Sequence, residues 1–377
     1  MSLLNFVAIL GRQPELGLVE LESVLGAQGV RPFGRQVALV GEMVPVDQLG
    51  GVLKLGEVLY RGAVKPLREL PVDFEALPMR ATKTPFAISC YGGRETARSL
   101  TAAGLELKKR LRERGSVRLV QPAKGLAVSA AELRHNRVIE DGFELLVVVA
   151  EHEMIVARTV GVQDIDWYSK RDYGRPARSA TVGMLPPKLA QVLVNTVRAE
   201  VVCDPFCGTG VVLQEALLAG RVVAGSDLAA EMVTATSANL AWLAEQVSTP
   251  LPAWSAAEAD ARLVRLPPGC AVVSEGYLGP NLMRLPGPAE LDRMRAELRE
   301  LYRMSLRNFA AQLPAGAEVS LCAPAWRDGR RWQYLGLVDE LPDLGYTLKG
   351  FEHVRTPLLY ARDDQVVGRQ LLLLRKN

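Results

Sequence analysis

The chain has 377 residues, 49% of them hydrophobic and 23% charged, with a net charge of +3. That length exceeds one ordinary core and implies two or three domains of soluble, globular composition. It holds no apolar run of the 18 residues a membrane helix needs, and so small a net charge is no argument for nucleic acid by itself.

The start, Met1 to Gly11, is apolar but lacks a basic flank and a small-residue cleavage site, so no signal peptide is expected. Five cysteines without CxxC spacing read as reduced thiols of a cytoplasmic protein, not as a disulfide or zinc framework. Residues 1–70 carry a predicted strand (Asn5 to Leu10), a helix (Gly17 to Leu25) and further short strands near Val37 to Val40, before a connector punctuated by Pro66, Pro71 and Pro78. A second small α/β unit is expected to about residue 160. It has strands at Phe86 to Cys90 and Val117 to Val120, an amphipathic helix at Ser99 to Arg114, and a hairpin of Phe143 to Ala150 with Met154 to Ala157. On that helix Lys108, Lys109, Arg110, Arg112 and Arg114, with Arg118 beyond, are opposed only by Glu113. They form either a solvated helix face or a phosphate-contacting patch. Gly161 to Arg178 reads as a linker into the last zone.

From about residue 180 the pattern alternates strand and helix. Predicted helices run Pro187 to Ala199, Val211 to Leu218, Ala230 to Leu243, Ala289 to Gln312 and Gln333 to Leu341. Predicted strands begin at Val201, Val222, Ala271 and Glu318. Val354 to Tyr360 and Gln370 to Leu374 read as a closing antiparallel hairpin. A mostly parallel sheet finished by a reversed strand predicts a Rossmann-like methyltransferase domain, α/β in class, over 181–377.

Within it, Asp204-Pro205-Phe206-Cys207-Gly208-Thr209-Gly210 closes a buried strand with a glycine turn that lets backbone approach a ligand. Asp204 supplies an acceptor there, which suits an amine and not a bare pyrophosphate. Asp227, after the next strand, suits ribose hydroxyls. Asp260, after the expected third strand, suits an adenine amino group. A ligand with amine, ribose and adenine fits all three, and S-adenosylmethionine is that ligand. His135, His152 and His353 lack metal-ligand spacing, so no metal is expected. Cys207 reads as a packing residue of the loop, and most aromatics placed like Trp326 and Trp332 are packing residues.

These residues resemble the THUMP-domain tRNA guanosine N2-methyltransferases of the guanosine-10 type. The matching stretches are RDYGRPARSATVGMLPPKLAQVLVN (171–195), DPFCGTGVVLQEALLAG (204–220), ATSANLAWL (235–243) and LLYARDDQVVGRQLLLL (358–374). The resemblance implies a ferredoxin-like unit over 1–70, a THUMP-like RNA-binding domain over 71–160, a linker at 161–180 and the methyltransferase domain beyond. It places Leu185, Pro186, Pro187 and Lys188 over the cofactor. Asp204, Phe206, Cys207, Gly208, Thr209 and Gly210 would wrap its methionine end, with Asp227 at the ribose and Asp260 at the adenine, and Leu228 and Ala261 as further cofactor contacts. It implies tRNA as partner and allows for a small activating subunit.

The pattern breaks after the fourth strand. Members carry Asp/Asn-Pro-Pro-Tyr, whose acceptors localise the lone pair of the guanine amine while the tyrosine stacks on the base. This chain has Ser274, Glu275, Gly276 and Tyr277 as its catalytic candidates. Three readings stay open: an RNA methyltransferase with a rebuilt acceptor in Glu275 or Ser274, an RNA-binding protein that has lost catalysis, or a methyltransferase for another nucleic acid such as DNA. RNA would be held by Lys108, Lys109, Arg112 and Arg114, and Arg171 and Arg175 would either line the passage between domains or sit in an exposed linker.

Overall fold

A computed structural model describes residues 4–178 and 185–377. Residues 179–184 of the matching stretch at 171–195 lie outside the described residues. The chain divides into one compact unit ending at Asp166 and another beginning at Trp167.

The first unit is built on one eight-stranded sheet in the order β2-β3-β1-β4-β8-β7-β5-β6. Its elements are β1 (Phe6–Leu10), α1 (Pro14–Leu25), β2 (Val30–Pro32), β3 (Val37–Val40), β4 (Val52–Ala63), β5 (Thr84–Gly92), α2 (Ala97–Leu111), β6 (Val117–Val120), α3 (Ala130–His135), α4 (Val138–Asp141), β7 (Phe143–Ala150) and β8 (Glu153–Val162). The sheet runs through both predicted front units, because β4 pairs with β8 across the expected break near residue 70. A buried polar cluster ties the same strands. Lys54 Nζ on β4 donates to Glu144 of β7 at 2.5 Å and to the Val128 carbonyl at 2.6 Å. Ser89 and Thr159 donate to the same carboxylate. A buried charge pair costs desolvation unless its hydrogen bonds are filled, and here they are.

On α2, Leu100, Ala103, Gly104, Leu107 and Leu111 face the core at helical spacing, and Lys109, Arg110 and Arg112 are exposed. Arg114 behaves otherwise. Its guanidinium donates to the carbonyls of Phe74, Leu77 and Glu75 and pairs with the Glu75 carboxylate at 3.2 Å, so it braces the proline-rich connector. Arg110 stacks 3.9 Å from the Phe74 ring, and Arg118 is engaged by Asn136.

The second unit begins within α5 (Ile165–Tyr173). It continues with α6 (Pro187–Asn195), β9 (Val201–Asp204), α7 (Val211–Leu218), β10 (Val222–Asp227), α8 (Ala230–Gln246), β11 (Trp254–Glu258), β12 (Ala271–Ser274), α9 (Pro288–Gln312), β13 (Glu318–Asp328), β14 (Arg331–Tyr334), β15 (Tyr346–Leu348), β16 (Leu358–Tyr360) and β17 (Val367–Lys376). The sheet order is β11-β10-β9-β12-β13-β17-β15, with β14 beside β13 and β16 beside β17. β9 to β13 run parallel, and β17 is reversed between β13 and β15. α9 buries Leu298, Tyr302, Leu306 and Phe309, spaced by three and four, in one core with Val272, Leu321 and Leu372.

The segment read as a helix at Gln333 to Leu341 opens instead as strand β14, folded back on β13 with Arg327 opposite Trp332. The segment read as a linker contains α5, and Arg171 on it is 3% exposed. Its guanidinium pairs with the buried Glu215 carboxylate at 2.7 and 3.1 Å. A guanidinium held this way is structural and does not line a passage. Among the described residues no helix is long and apolar enough to cross a membrane, and no group of three or more His, Cys, Asp or Glu could hold a metal ion.

Candidate functional site

Because β9, β10, β11 and β12 run parallel, their carboxyl ends form one edge. Open α/β sheets bind ligands at that edge. It carries Asp204, Asp227, Asp260 and Ser274.

Asp204 ends β9 and is 2% exposed. It accepts from Phe206 N at 3.1 Å and from the Ser274 hydroxyl. Burial pushes its carboxyl up to about 7, with the charges of Asp227 and Glu275 adding to the rise and the two hydrogen bonds opposing it.

The loop behind it is fixed from α8. Thr236 Oγ1 donates to the Gly208 carbonyl at 2.8 Å, and Asn239 Nδ2 donates to the Thr209 carbonyl at 2.8 Å. Asn239 also exchanges two hydrogen bonds of 2.9 Å with the backbone of Ala177, and Arg175 donates to Thr209 Oγ1 at 3.1 Å. Arg175 is 3% exposed, so it supports the loop from within and does not sit in an exposed linker. Gly208 has φ +52 and open space where a Cβ would stand, whereas a Cβ on Gly210 would meet Thr236 at 3.1 Å. The loop is thus closed on its protein side and open on the side where a ligand would lie. Cys207 is buried, its thiol pushed up to about 12 by burial, which suits packing and not attack.

Asp227 ends β10 and accepts from Gly208 N at 2.9 Å and Ala229 N at 3.0 Å. A carboxylate has about four acceptor positions, so capacity for hydroxyls remains. Leu228 beside it is 68% exposed, an apolar side chain held out at the ligand edge. Asp260 has a partner the sequence reading did not foresee. Arg262 grips its carboxylate through the backbone N, Nε and Nη2, and holds its pKa below the usual range. With two contacts on each oxygen its acceptor positions are filled, so an adenine amine would have to displace Arg262. Ala261 is buried, and its carbonyl accepts from Asn308 at 3.1 Å.

Pro186 caps α6 and Pro187 opens it, as proline's fixed φ favours. Leu185 is buried, and Lys188 Nζ lies 5.0 Å over the Tyr168 ring, its pKa lowered by burial and by Arg171.

The tetrad follows β12. Ser274 is fully buried, and its Oγ accepts from Gly276 N at 3.0 Å. Glu275 pairs with Arg369 Nε of β17 at 2.6 Å. Gly276 has φ +68, and Tyr302 stands behind it, donating to the carbonyls of Cys322 at 2.9 Å and Tyr277 at 3.2 Å. Phe206 of the glycine loop stacks on Tyr302 at 6.3 Å. Tyr277 is 48% exposed at the edge, free to receive a flat ring. The structure therefore brings Asp204, the glycine loop, Asp227, Asp260 and Ser274 to Tyr277 onto one edge. The sequence reading missed Thr236, Asn239, Tyr302 and Arg369. For Arg369 a signal was present, a charged residue two positions before the apolar run Leu371 to Leu374.

The sheet order, with one reversed strand next to the last, together with a carboxylate-and-glycine edge, defines the Rossmann-like class I methyltransferase fold. The crystal structure of TrmN from Thermus thermophilus has the same fold, with a TM-score of 0.55 at 19% identity over 99% of each chain. No family model matches the chain. It is similar to the tRNA (guanine(10)-N2)-dimethyltransferase of Methanocaldococcus jannaschii, 34% identical over 102 residues, 25% of this chain and 27% of that protein. It is also similar to the enzyme of the same name from Methanothermobacter thermautotrophicus, 31% identical over 150 residues, 39% of this chain and 40% of that protein. The matches thus span less than half the length of these curated relatives.

Proposed function

We propose that the chain is an S-adenosylmethionine-dependent RNA methyltransferase that acts on the exocyclic N2 amine of a tRNA guanosine, of the guanosine-10 type, in the cytoplasm. The observation that carries this reading is the joined edge of Asp204, the open Gly208 loop, Asp227 and Tyr277, in a chain locally similar to enzymes named for that reaction.

The cradle fits the cofactor. An ionised Asp204 suits an α-ammonium group, Gly208 leaves room for close approach, Asp227 keeps acceptors for ribose hydroxyls, and exposed Leu228 offers an apolar face to adenine. When bound, S-adenosylmethionine supplies an electrophilic methyl on sulfur. Tyr277 stacks on the flipped base, and the loop behind it holds the amine in line. The lone pair of that amine is delocalised into the ring, so an acceptor for its hydrogens is needed. Ser274 is buried against Asp204, and the role falls to Glu275.

Labelled methyl from the cofactor should pass to unmodified tRNA and be recovered as N2-methylguanosine. Firm cofactor binding with no label in any RNA would favour a catalytically impaired RNA-binding protein. Label in DNA alone would favour the third reading.

Lys108 and Lys109 with Arg112 are the phosphate contacts on this reading, which assigns none to Arg114, Arg171 and Arg175 because their guanidinium groups are engaged internally. Lys108→Glu with Lys109→Glu should weaken tRNA binding about tenfold or more and flatten its log–log salt slope by about 2, as each phosphate contact contributes about 0.9. Filter binding across a salt series measures both, and an unchanged slope removes this patch.

A further inference from the structure

We propose that Arg369 is the positioning residue of the catalytic edge: it holds one oxygen of Glu275 so that the other oxygen meets the substrate amine. The inference rests on the guanine-amine reading above.

Three observations lead to it. Ser274 stands where the tetrad of the resembled family has its acid or amide, but it is fully buried, with its hydroxyl between Gly276 N and Asp204. Glu275 is the next side chain. Its Oε1 lies 2.6 Å from Arg369 Nε, while its Oε2 has no hydrogen-bond partner among the described residues, and the side chain keeps 17% exposure. Arg369 itself is 4% exposed and lies 5.9 Å from the Tyr360 ring, so its guanidinium is fixed by its surroundings. A charge so buried is costly unless paired, and its partner is the one carboxylate at the tetrad. In the resembled family two prolines stiffen this loop. Here the ion pair, with Tyr302 behind Gly276, supplies the stiffness from the last strand.

The proton balance is complete. As the N2–C bond forms and the C–S bond breaks, the bonding pair passes to sulfur and N2 becomes cationic. It then releases one proton to Glu275, which returns it to water at the exposed edge.

The groups facing Glu275 are Arg369 on β17, Asp204 on β9, Tyr302 on α9 and Cys322 on β13. Burial pushes the Glu275 carboxyl up, and Arg369 opposes the rise. With Arg369 gone, that opposition is lost and the carboxyl rises further.

The test uses the full chain, tRNA transcript and saturating cofactor, so that Asp204 stays ionised. Arg369→Gln should lower kcat about 100-fold and Arg369→Lys about tenfold, within the range for a misplaced proton acceptor. Cofactor affinity should hold, and the acid limb of the pH–rate profile should move up. In a Glu275→Gln background, Arg369→Lys should cost nothing more. A folded variant with wild-type kcat and acid limb overturns the proposal, as does a further loss in the Glu275→Gln background. Should Arg369→Gln fail to fold, Arg369→Lys carries the same test. Wild-type protein that binds cofactor yet labels no tRNA sinks the functional reading instead. The pair is then judged by infrared titration of the Glu275 carboxyl, and a titration unmoved by Arg369→Lys overturns it.

Discussion

Grafting the Asp-Pro-Pro of the resembled family onto Ser274, Glu275 and Gly276 should abolish methyl transfer, not improve it. Each of the three changes meets a steric or electrostatic obstacle in the structure. Gly276 has φ +68, and a Cβ there would lie 2.3 Å from the Tyr302 hydroxyl and 2.8 Å from the Cys322 carbonyl. Proline fixes φ near −65°, so it can occupy the position only if the loop is rebuilt. An aspartate at 274 would be buried beside Asp204, whose carboxyl is already pushed up to about 7, and two such carboxylates cannot both ionise. Losing Glu275 leaves the Arg369 guanidinium, 4% exposed, without its counter-ion. Breaking a buried pair from one side costs about 3–5 kcal/mol. The grafted protein should therefore lose about 10³-fold or more in kcat/KM for tRNA, consistent with losing both an acceptor and the geometry. Its melting temperature should also fall. Gly276→Ala alone should account for much of the loss. A graft that methylates as fast as the wild type would mean that the loop tolerates the proline geometry and that Arg369 is dispensable.

Why this loop departs from that of the resembled family was only half legible in the sequence. Asp204, the two glycines, Asp227 and the Ser-Glu-Gly-Tyr tetrad stand close to strand ends, and period-two apolar runs before helical ones place strand ends well. The helix at Val211–Leu218 and the strands at Val117–Val120 and Phe143–Ala150 have the bounds the pattern suggests. Partners that come from far along the chain leave no such trace. Glu275 and Arg369 are 94 positions apart, and Arg171 and Glu215 are 44 apart. An arginine in a polar stretch reads as exposed until its carboxylate is known. β4 was hidden because Lys54, Gly56 and Glu57 interrupt its alternation. Gly56 is there because a Cβ would meet Leu146 at 2.8 Å, and the pairing with β8 shifts register on both sides of it. The reading of Gln333 to Leu341 as helix overlooked Asp328-Gly329, a hairpin signal. Gly329 has φ +59, and the chain turns back there into β14.

Asp204→Asn should raise the stability of the cofactor-free protein in alkaline buffer while removing most of its affinity for S-adenosylmethionine. The two effects have one cause. A free aspartate titrates near 4, whereas burial raises Asp204 to about 7. Between those values the unfolded chain releases a proton that the folded chain keeps. Stability from this group is therefore full below about pH 4 and is lost as pH rises to about 7. Three pKa units correspond to about 4 kcal/mol as an upper figure. Asparagine keeps the shape and acceptor oxygen without the charge, so at pH 8 the variant should melt several degrees higher than the wild type, and at pH 4 at about the same temperature. Cofactor binding runs the other way. An α-ammonium and a sulfonium favour the ionised carboxylate, so wild-type affinity should fall about tenfold per pH unit below 7. The variant should bind about 100-fold more weakly at pH 8, with little dependence on pH. Calorimetric titration between pH 5.5 and 8.5 measures both curves. A wild-type affinity that stays level across that range would mean that Asp204 does not hold the cationic end, and that the buried acid serves only the fold of the loop.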